Sequence, residues 1–309
     1  MYIDSHAHLN FKEYENDIKN VLERSFNAGV KKIVNVGSNY KTSLKTIQIA
    51  NSQKLKANLF AVVGCHPIHL MQDITESAKF DGKEYKFTTK KEEFNKDKYQ
   101  KLIDENKDVV VGVGETGLDY FHLTRCHPER AKRVEGSRKS FDKFEMTEKE
   151  IQKRVFKEHI DLAIENNLPL VLHCRGSEDD QYGGYDEMLQ ILKSYNLNLK
   201  SDFRGVAHCF VGNLAQAKEF IKMGFYIGVN GIVTFKNSNE LQNIIKKIPL
   251  KNIVLETDCP FLAPDPYRGK RNEPACIPII AQKIAEIKGV DVGEVEKITT
   301  DNCKKLFNI

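Results

Sequence analysis

The sequence has no tryptophan, no Cys-x-x-Cys pair, and no apolar run near the roughly 20 residues that a membrane span needs. The missing run excludes a transmembrane helix. The N-terminus also lacks the basic-then-apolar layout of a secretory signal. Its first residues, Met1-Tyr-Ile-Asp-Ser-His-Ala-His8, are expected to be retained, because cleavage would remove two candidate ligands. The seven cysteines are odd in number and scattered, which predicts free thiols in a reducing cytosol. No Gly-x-Ser-x-Gly elbow supports a Ser-His-Asp hydrolase. No GxGxxG stands at a strand-to-helix turn and there is no Walker loop, so dinucleotide and P-loop chemistry lose their usual signals. The formal net charge is only +4. Thr124 to Lys139 holds six Lys/Arg against two Glu and accounts for all of it. A polyanion would therefore have to be held by a focused site rather than a broad basic face.

What is present is alternation. Short apolar runs (Tyr2–Ser5, Lys32–Val36, Leu59–Gly64, Val109–Gly114, Pro169–Leu172, Gly205–His208, Phe225–Val229 and Ile253–Glu256) read as strands. Amphipathic stretches lie between and after them: Glu13–Asn27, Thr42–Gln53, Glu148–Glu165, Asp186–Tyr195, Leu214–Lys222, Glu240–Ile248, Ile277–Ile287 and Val292–Phe307. Eight strands, with helices between and after them, predict a (β/α)8 TIM barrel spanning 1–309 as a single domain; a doubly wound open sheet is the alternative. Two segments interrupt the pattern. Residues 72–98 are polar and rich in Lys and Glu, and read as an enlarged loop with room for a short hairpin. Residues 122–146 are basic and aperiodic, and read as an insertion into the barrel. On composition, that insertion reads more readily as a solvated loop than as a DNA-binding element.

The strand ends carry the chemistry. His6 and His8, two apart, share one face of a strand and can reach one cation. Glu115, His173, His208 and Asp258 each stand at or just past the end of a further apolar run. In a barrel these ends converge on one mouth; in an open sheet they do not. A carboxylate such as Glu115 after a buried run needs a partner. Four histidines and two carboxylates exceed one tetrahedral zinc and suit a two-metal site that activates water, with Mg, Mn or Zn all compatible. Arg175, two residues after His173, faces the same way and suits a phosphate. Glu256 is expected to pack behind the site. Cys174, Cys209 and Cys259 each follow a candidate ligand, so alternation turns them outward as small buried apolar residues.

Together these motifs resemble the TatD family. They are Ile3-Asp-Ser-His-Ala-His-Leu-Asn10, Gly64-Cys-His-Pro67, Gly114-Glu-Thr-Gly-Leu-Asp-Tyr120, Pro169-Leu-Val-Leu-His-Cys-Arg175, His208-Cys-Phe210, Thr234-Phe235, Leu255-Glu-Thr-Asp-Cys-Pro-Phe-Leu-Ala-Pro264 and Tyr267-Arg-Gly-Lys-Arg-Asn-Glu-Pro274. The resemblance runs from end to end. The two interruptions are longer than the family's usual connections, and Val211 stands where Ser is common. The resemblance implies a distorted barrel of the amidohydrolase superfamily. It also implies two divalent ions bridged by Glu115, one held by His6, His8 and Asp258 and the other by His173 and His208. Asp258 would orient or deprotonate the attacking water. His66, Arg175, Arg271 and Asn272 would contact phosphate. The implied reaction is metal-dependent hydrolysis of DNA from the 3′ end by a cytoplasmic enzyme, with single strands or 3′ ends as substrate, no membrane partner, and a monomer expected. The alternative is an esterase or deacylase of the same superfamily, such as an aminoacyl-tRNA deacylase.

Overall fold

The computed structural model describes residues 1–53, 58–71, 73–126, 146–196 and 203–309. Eight parallel strands lie in the order β1 (Tyr2–Ala7), β2 (Val30–Val36), β3 (Leu59–Val63), β6 (Val110–Asp119), β7 (Leu170–Arg175), β8 (Gly205–Ala207), β9 (Phe225–Val229) and β10 (Ile253–Leu255). The ring closes between the first and last. An Ala7–Cys259 bridge joins them, and Asp258 N donates to His6 O at 2.9 Å. Helices follow the strands and cover the outside, giving the (β/α)8 barrel that the alternation predicts.

Alternation along the strands sorts their side chains. Ile3, Val34, Val62, Val111, Val171, Val206 and Val254, from seven different strands, form one buried cluster inside the ring. Cys303, Leu306 and Phe307 of the helix Val292–Phe307 join this cluster and form its floor. The outward set, including Val30, Ile33, Leu59, Val110, Leu170, Leu172 and Phe225, packs in the larger cluster with the helices. Burying several such side chains at roughly 1.5–3 kcal/mol each supplies the main drive for closing the ring.

Several boundaries differ from the sequence reading. The fourth barrel strand does not end at Gly114 but continues to Asp119. The first helical stretch splits into a short 3-10 turn, Lys12–Tyr14, and the helix Ile18–Asn27. A helix at Lys96–Glu105, starting within the stretch read as loop, is capped by Asn95, whose side chain accepts from Lys98 N at 3.0 Å. It buries Tyr99, Leu102 and Ile103, a helical spacing. Within 72–98 lies an antiparallel hairpin, β4 (Thr75–Phe80) with β5 (Lys83–Thr88). Of the basic segment at 122–146, residues 122–126 complete the helix Tyr120–Cys126, while 127–145 lie outside the described residues. Among the described residues, no helix is long and apolar enough to cross a membrane.

Candidate metal centre

Simple period-two counting fails at the first of the ligand-bearing strands. Ile3 faces inward and Ala7 outward, so a strict alternation from Ile3 would turn His6 and His8 away from the mouth. The β1–β2 register shifts between Asp4 and Ala7, and this irregularity brings both histidines inside. β6 shifts register twice, against β3 between Val110 and Gly112 and against β7 between Val113 and Thr116, and the two cancel, leaving Glu115 on the inner face with Val111. Glycines allow it: a Cβ on Gly114 would lie 2.5 Å from Val171 O, and one on Gly117 only 2.0 Å from His173 O. The spacing Gly112-x-Gly-x-x-Gly117 is thus a strand device, not a dinucleotide turn. β7 and β8 keep strict alternation, which places His173 and Arg175 after Val171, and His208 after Val206, on the inner face.

The six candidate ligands converge around Glu115, and its two oxygens divide them. Oε2 lies 3.5 Å from His6 Nε2 and 3.6 Å from His8 Nε2. Oε1 lies 3.1 Å from His173 Nδ1 and 3.7 Å from His208 Nε2. Asp258 Oδ1 sits 3.5 Å from His8 Nε2 and 3.9 Å from both His6 and His208 Nε2. Ligand atoms each about 2.0–2.1 Å from a shared ion, at tetrahedral angles, would be separated by distances of this order. His6 and His8 Nε2 approach to 3.1 Å, and His6 Nδ1 is buried without a hydrogen-bond partner among the described residues. All six groups are buried except the Asp258 and His173 side chains, which stay 15% and 18% exposed at the mouth.

The outer nitrogen of three rings is occupied, which fixes which nitrogen faces inward. His8 Nδ1 donates to Val36 O at 2.9 Å, and His173 Nε2 donates to Asp119 Oδ2 at 3.2 Å. His208 Nδ1 lies 3.0 Å from Glu256 Oε1, close enough for a charge pair although its angle falls short of a good hydrogen bond. Each ring therefore turns its other nitrogen toward Glu115, the arrangement metal-ligating histidines adopt. Glu256, fully buried behind the site, also accepts from Cys209 N at 2.6 Å.

His66 is the opposite case. Its Nδ1 accepts from Ile68 N at 3.1 Å, so Nε2 must carry the hydrogen; it points at Glu115 Oε1 from 3.5 Å. His66, Asp119 and His173 have ligand atoms close enough to hold an ion. A protonated Nε2 has no lone pair to give, so this trio reads as one donor and one supported ring. Arg175, at the exposed end of β7, stacks its guanidinium 3.6 Å above the Phe121 ring. Arg271 and Asn272 are not brought to the centre. The Arg271 guanidinium is bound to Asp17 at 2.6 and 3.0 Å and to Glu273 at 2.9 Å. The Asn272 amide donates to Thr257 O and Phe261 O, and its oxygen accepts from Glu273 N. The polar atoms of Asn272 thus hold the loop after β10. Cys174 and Cys259 are buried as expected; Cys209 is partly exposed, its backbone in the left-handed region at φ 45°.

Asp119 and its partner His122 are the residues the sequence reading missed. Asp119 Oδ2 lies 2.7 Å from His122 Nδ1, and Oδ1 accepts from His122 N at 3.1 Å. The signal existed, since Asp119 stands four residues beyond Glu115 in one strand and so shares its face. Burial alone would keep Asp119 protonated, but His122 and His173 hold its carboxyl far below the usual range. Burial likewise opposes charge on His173 and His208. In the metal-free site Asp119 and Glu115 nonetheless lift His173 to about 9, and Glu256, Asp258 and Glu115 lift His208 to about 10. Glu115 is held well below the ordinary glutamate value by the histidines around it, His66 foremost, despite its burial.

The description "TatD related DNase" belongs to the family model that matches residues 3–308. The chain belongs to the TatD family. Among its relatives is the Bacillus subtilis protein YabD, described as an uncharacterized metal-dependent hydrolase, 34% identical over 309 residues and covering all of both chains. The Escherichia coli protein YcfH, described in the same words, is 30% identical over 315 residues, covering 99% of this chain and 96% of its own. The solved structure of Escherichia coli YjjV, a TatD homolog, superposes with a TM-score of 0.76 at 25% identity, over 100% of this chain and 98% of that one. This TatD-family chain is therefore a metal-dependent hydrolase by descent, and its buried His, Asp and Glu groups could hold metal.

Proposed function

We propose that this protein hydrolyses DNA phosphodiester bonds at a two-metal centre, removing nucleotides from the 3′ end. The observation that carries this reading is the division of the Glu115 carboxylate, one oxygen toward His6 and His8 and the other toward His173 and His208. A bridging carboxylate needs that arrangement. His6, His8 and Asp258 would hold one ion, and His173 and His208 the other. Bound divalent ions supply Lewis acidity and bring the pKa of a coordinated water to near 7.

The chain's own groups do the rest. Asp258, partly exposed at the mouth, would orient the attacking water and accept its proton. Its carboxyl is held below the usual range, because His8 and His208 outweigh its burial, so it is ionised and ready. His66 presents Nε2–H and Arg175 presents its guanidinium, two donors matched to the non-bridging oxygens of a phosphate. Water attacks phosphorus, the bond to the 3′-oxygen of the preceding nucleotide breaks, that oxygen takes up a proton to become the new 3′-hydroxyl, and a nucleoside 5′-phosphate is released. Two hydrogen donors beside the ligand cluster favour a phosphodiester over an aminoacyl ester, which develops a single oxyanion. The test is a nuclease assay on metal-stripped protein restored with Mg²⁺, Mn²⁺ or Zn²⁺ in turn, on single strands labelled at the 5′ end. A ladder shortening from the 3′ end is expected. Inactivity on every DNA, with turnover of an aminoacyl ester, would replace this reading with the deacylase.

A further inference from the structure

The hairpin β4–β5 follows β3 in sequence but reaches the loops after β1 and β10. Asp81 at its turn donates its N–H to Gly269 O at 2.8 Å and accepts from Arg271 N at 3.2 Å. Lys12 Nζ donates to Lys86 O at 3.3 Å. These contacts dock the hairpin on the loops after β1 and β10, the two that carry His8 and Asp258. Its second strand alternates, with Tyr85 and Phe87 partly buried and Glu84, Lys86 and Thr88 exposed.

A series of rings runs along this junction. Phe87 meets Phe261 with centroids 6.2 Å apart, Phe261 meets Phe11 at 6.1 Å, and Phe11 lies on the His8 ring at 4.6 Å. Turns hold the inner two: Phe11 N donates to His8 O at 3.1 Å and Phe261 N to Asp258 O at 3.0 Å. The three phenylalanines are all partly exposed and are tilted by 69° and 47° to one another, so their faces are not spent on mutual stacking. Lys12 follows Phe11 and Lys86 precedes Phe87, both exposed, while Tyr267 nearby in the same loop is 51% exposed. Partly exposed rings interleaved with cations are the make-up of surfaces that hold unpaired nucleic acid, because every base offers a π-face and every nucleotide a phosphate.

We infer that Phe11, Phe261 and Phe87 form a stacking platform for the unpaired bases of a single strand entering the centre, with Lys12 and Lys86 beside its backbone. This rests on the nucleic-acid reading of the centre given above. A base paired within a duplex has its faces covered by its neighbours, so the platform selects single strands. It makes Phe87, supplied by the inserted hairpin, a specificity-determining residue of this chain.

The test compares three substrates on the metal-loaded enzyme: methyl p-nitrophenyl phosphate, an oligothymidylate, and the same deoxyribose-phosphate backbone without bases beyond the scissile nucleotide. Wild type should use the oligothymidylate with a KM about five- to a hundredfold below that of the base-free strand. Phe87→Leu retains apolar packing but removes the π-face, and should raise the oligothymidylate KM several-fold without changing that of the base-free strand. Equal KM for both strands in wild type overturns the platform while leaving the nuclease reading intact. An equal fall on all three substrates in Phe87→Leu also overturns it, since the ring then only props up the mouth. Turnover of the small diester with none of either strand would instead defeat the nuclease reading, and the platform with it.

Discussion

Replacing Asp119 by Asn tests whether the residues behind the ligands build the centre. In the structure the Asp119 carboxylate is fully buried and accepts from His173 Nε2 at 3.2 Å and from His122 Nδ1 at 2.7 Å. An Asn in this place keeps the shape and one acceptor oxygen but removes the charge. Both rings bond to Oδ2 and the His122 backbone N–H to Oδ1, so one amide oxygen can serve only one side: at the Oδ2 place it sets the amide nitrogen against the His122 N–H, and at the Oδ1 place against both ring N–H groups. His173 would lose either the charge of the acceptor that fixes its ring and its inward lone pair, or the bond itself. Losing a support of this kind commonly costs about 10–100-fold in metal affinity, or about 1.4–2.7 kcal/mol. The loss should fall on the ion assigned to His173 and His208, since Asp119 touches neither His6 nor His8. Calorimetric titration of the metal-free protein with Zn²⁺ should resolve a weakened event beside an unchanged one. If both affinities match wild type, His173 is oriented by something other than Asp119, and the reasoning from ring tautomers is refuted.

Glu115→Ala and Asp258→Asn should each bring hydrolysis below about one percent of wild type, since groups at a developing charge contribute several kcal/mol; residual rates above that in both folded variants would remove the assignment. Arg175→Ala should raise KM for a phosphodiester while the bound metal, measured by atomic absorption, stays at its wild-type level; parallel loss of metal would mark the residue as structural. Metal uptake should release protons near neutral pH, because His173 and His208 titrate at about 9 and 10 in the metal-free site and must lose a proton to become ligands. Apparent affinity should therefore climb with pH, by up to tenfold per unit for each released proton, and level off near those values; a flat profile in a buffer-corrected titration would contradict it. The sign reverses for the stability of the metal-free protein. These raised histidine values stabilise it fully below about 6.5, the ordinary histidine value, and that contribution fades as pH rises through about 9 to 10. Melting curves of chelator-treated protein should show a Tm that falls over this range.

The barrel was legible in the sequence because its signal repeats: an apolar run, a helical stretch, and an acid or histidine at the run's end. β7 and β8 follow strict alternation, so the inward placing of His173, Arg175 and His208 could be counted from Val171 and Val206. His6 and His8 could not be placed by counting, because a register shift in β1 changes which parity faces inward, and Glu115 falls inside only because two shifts in β6 cancel. A shift depends on the neighbouring strand and leaves little trace beyond glycines such as Gly114 and Gly117. The fate of Arg271 was equally hidden. Its partner Asp17 lies more than two hundred residues earlier, and only the closed ring brings the two together. Asp119 lay in plain view on the Glu115 face, but a third acid near two ligands has many possible uses until its hydrogen bonds are known. The hairpin's reach to the loops after β1 and β10 also depends on tertiary contacts, and nothing local in residues 72–98 points toward β10.

The helix that floors the barrel sets the order in which the enzyme can be made. Thr300 donates to Met1 O at 2.8 Å, Asn302 donates to Leu250 O and Ile253 O, and Arg204 donates to Leu306 O. The interior valines therefore have no lower boundary until residues near 300 have been synthesised. His6 and His8 leave the ribosome early, yet Asp258 meets them only when the ring shuts. Such distant pairings make folding slow. Synthesis proceeds at about 5–20 residues per second, so the first strand waits on the order of ten seconds or more for its last partner. Through that interval the nascent chain presents a histidine pair without the acids that complete the cluster. The finished centre, and with it any hydrolytic capacity, arises only after residues near 300 have been read.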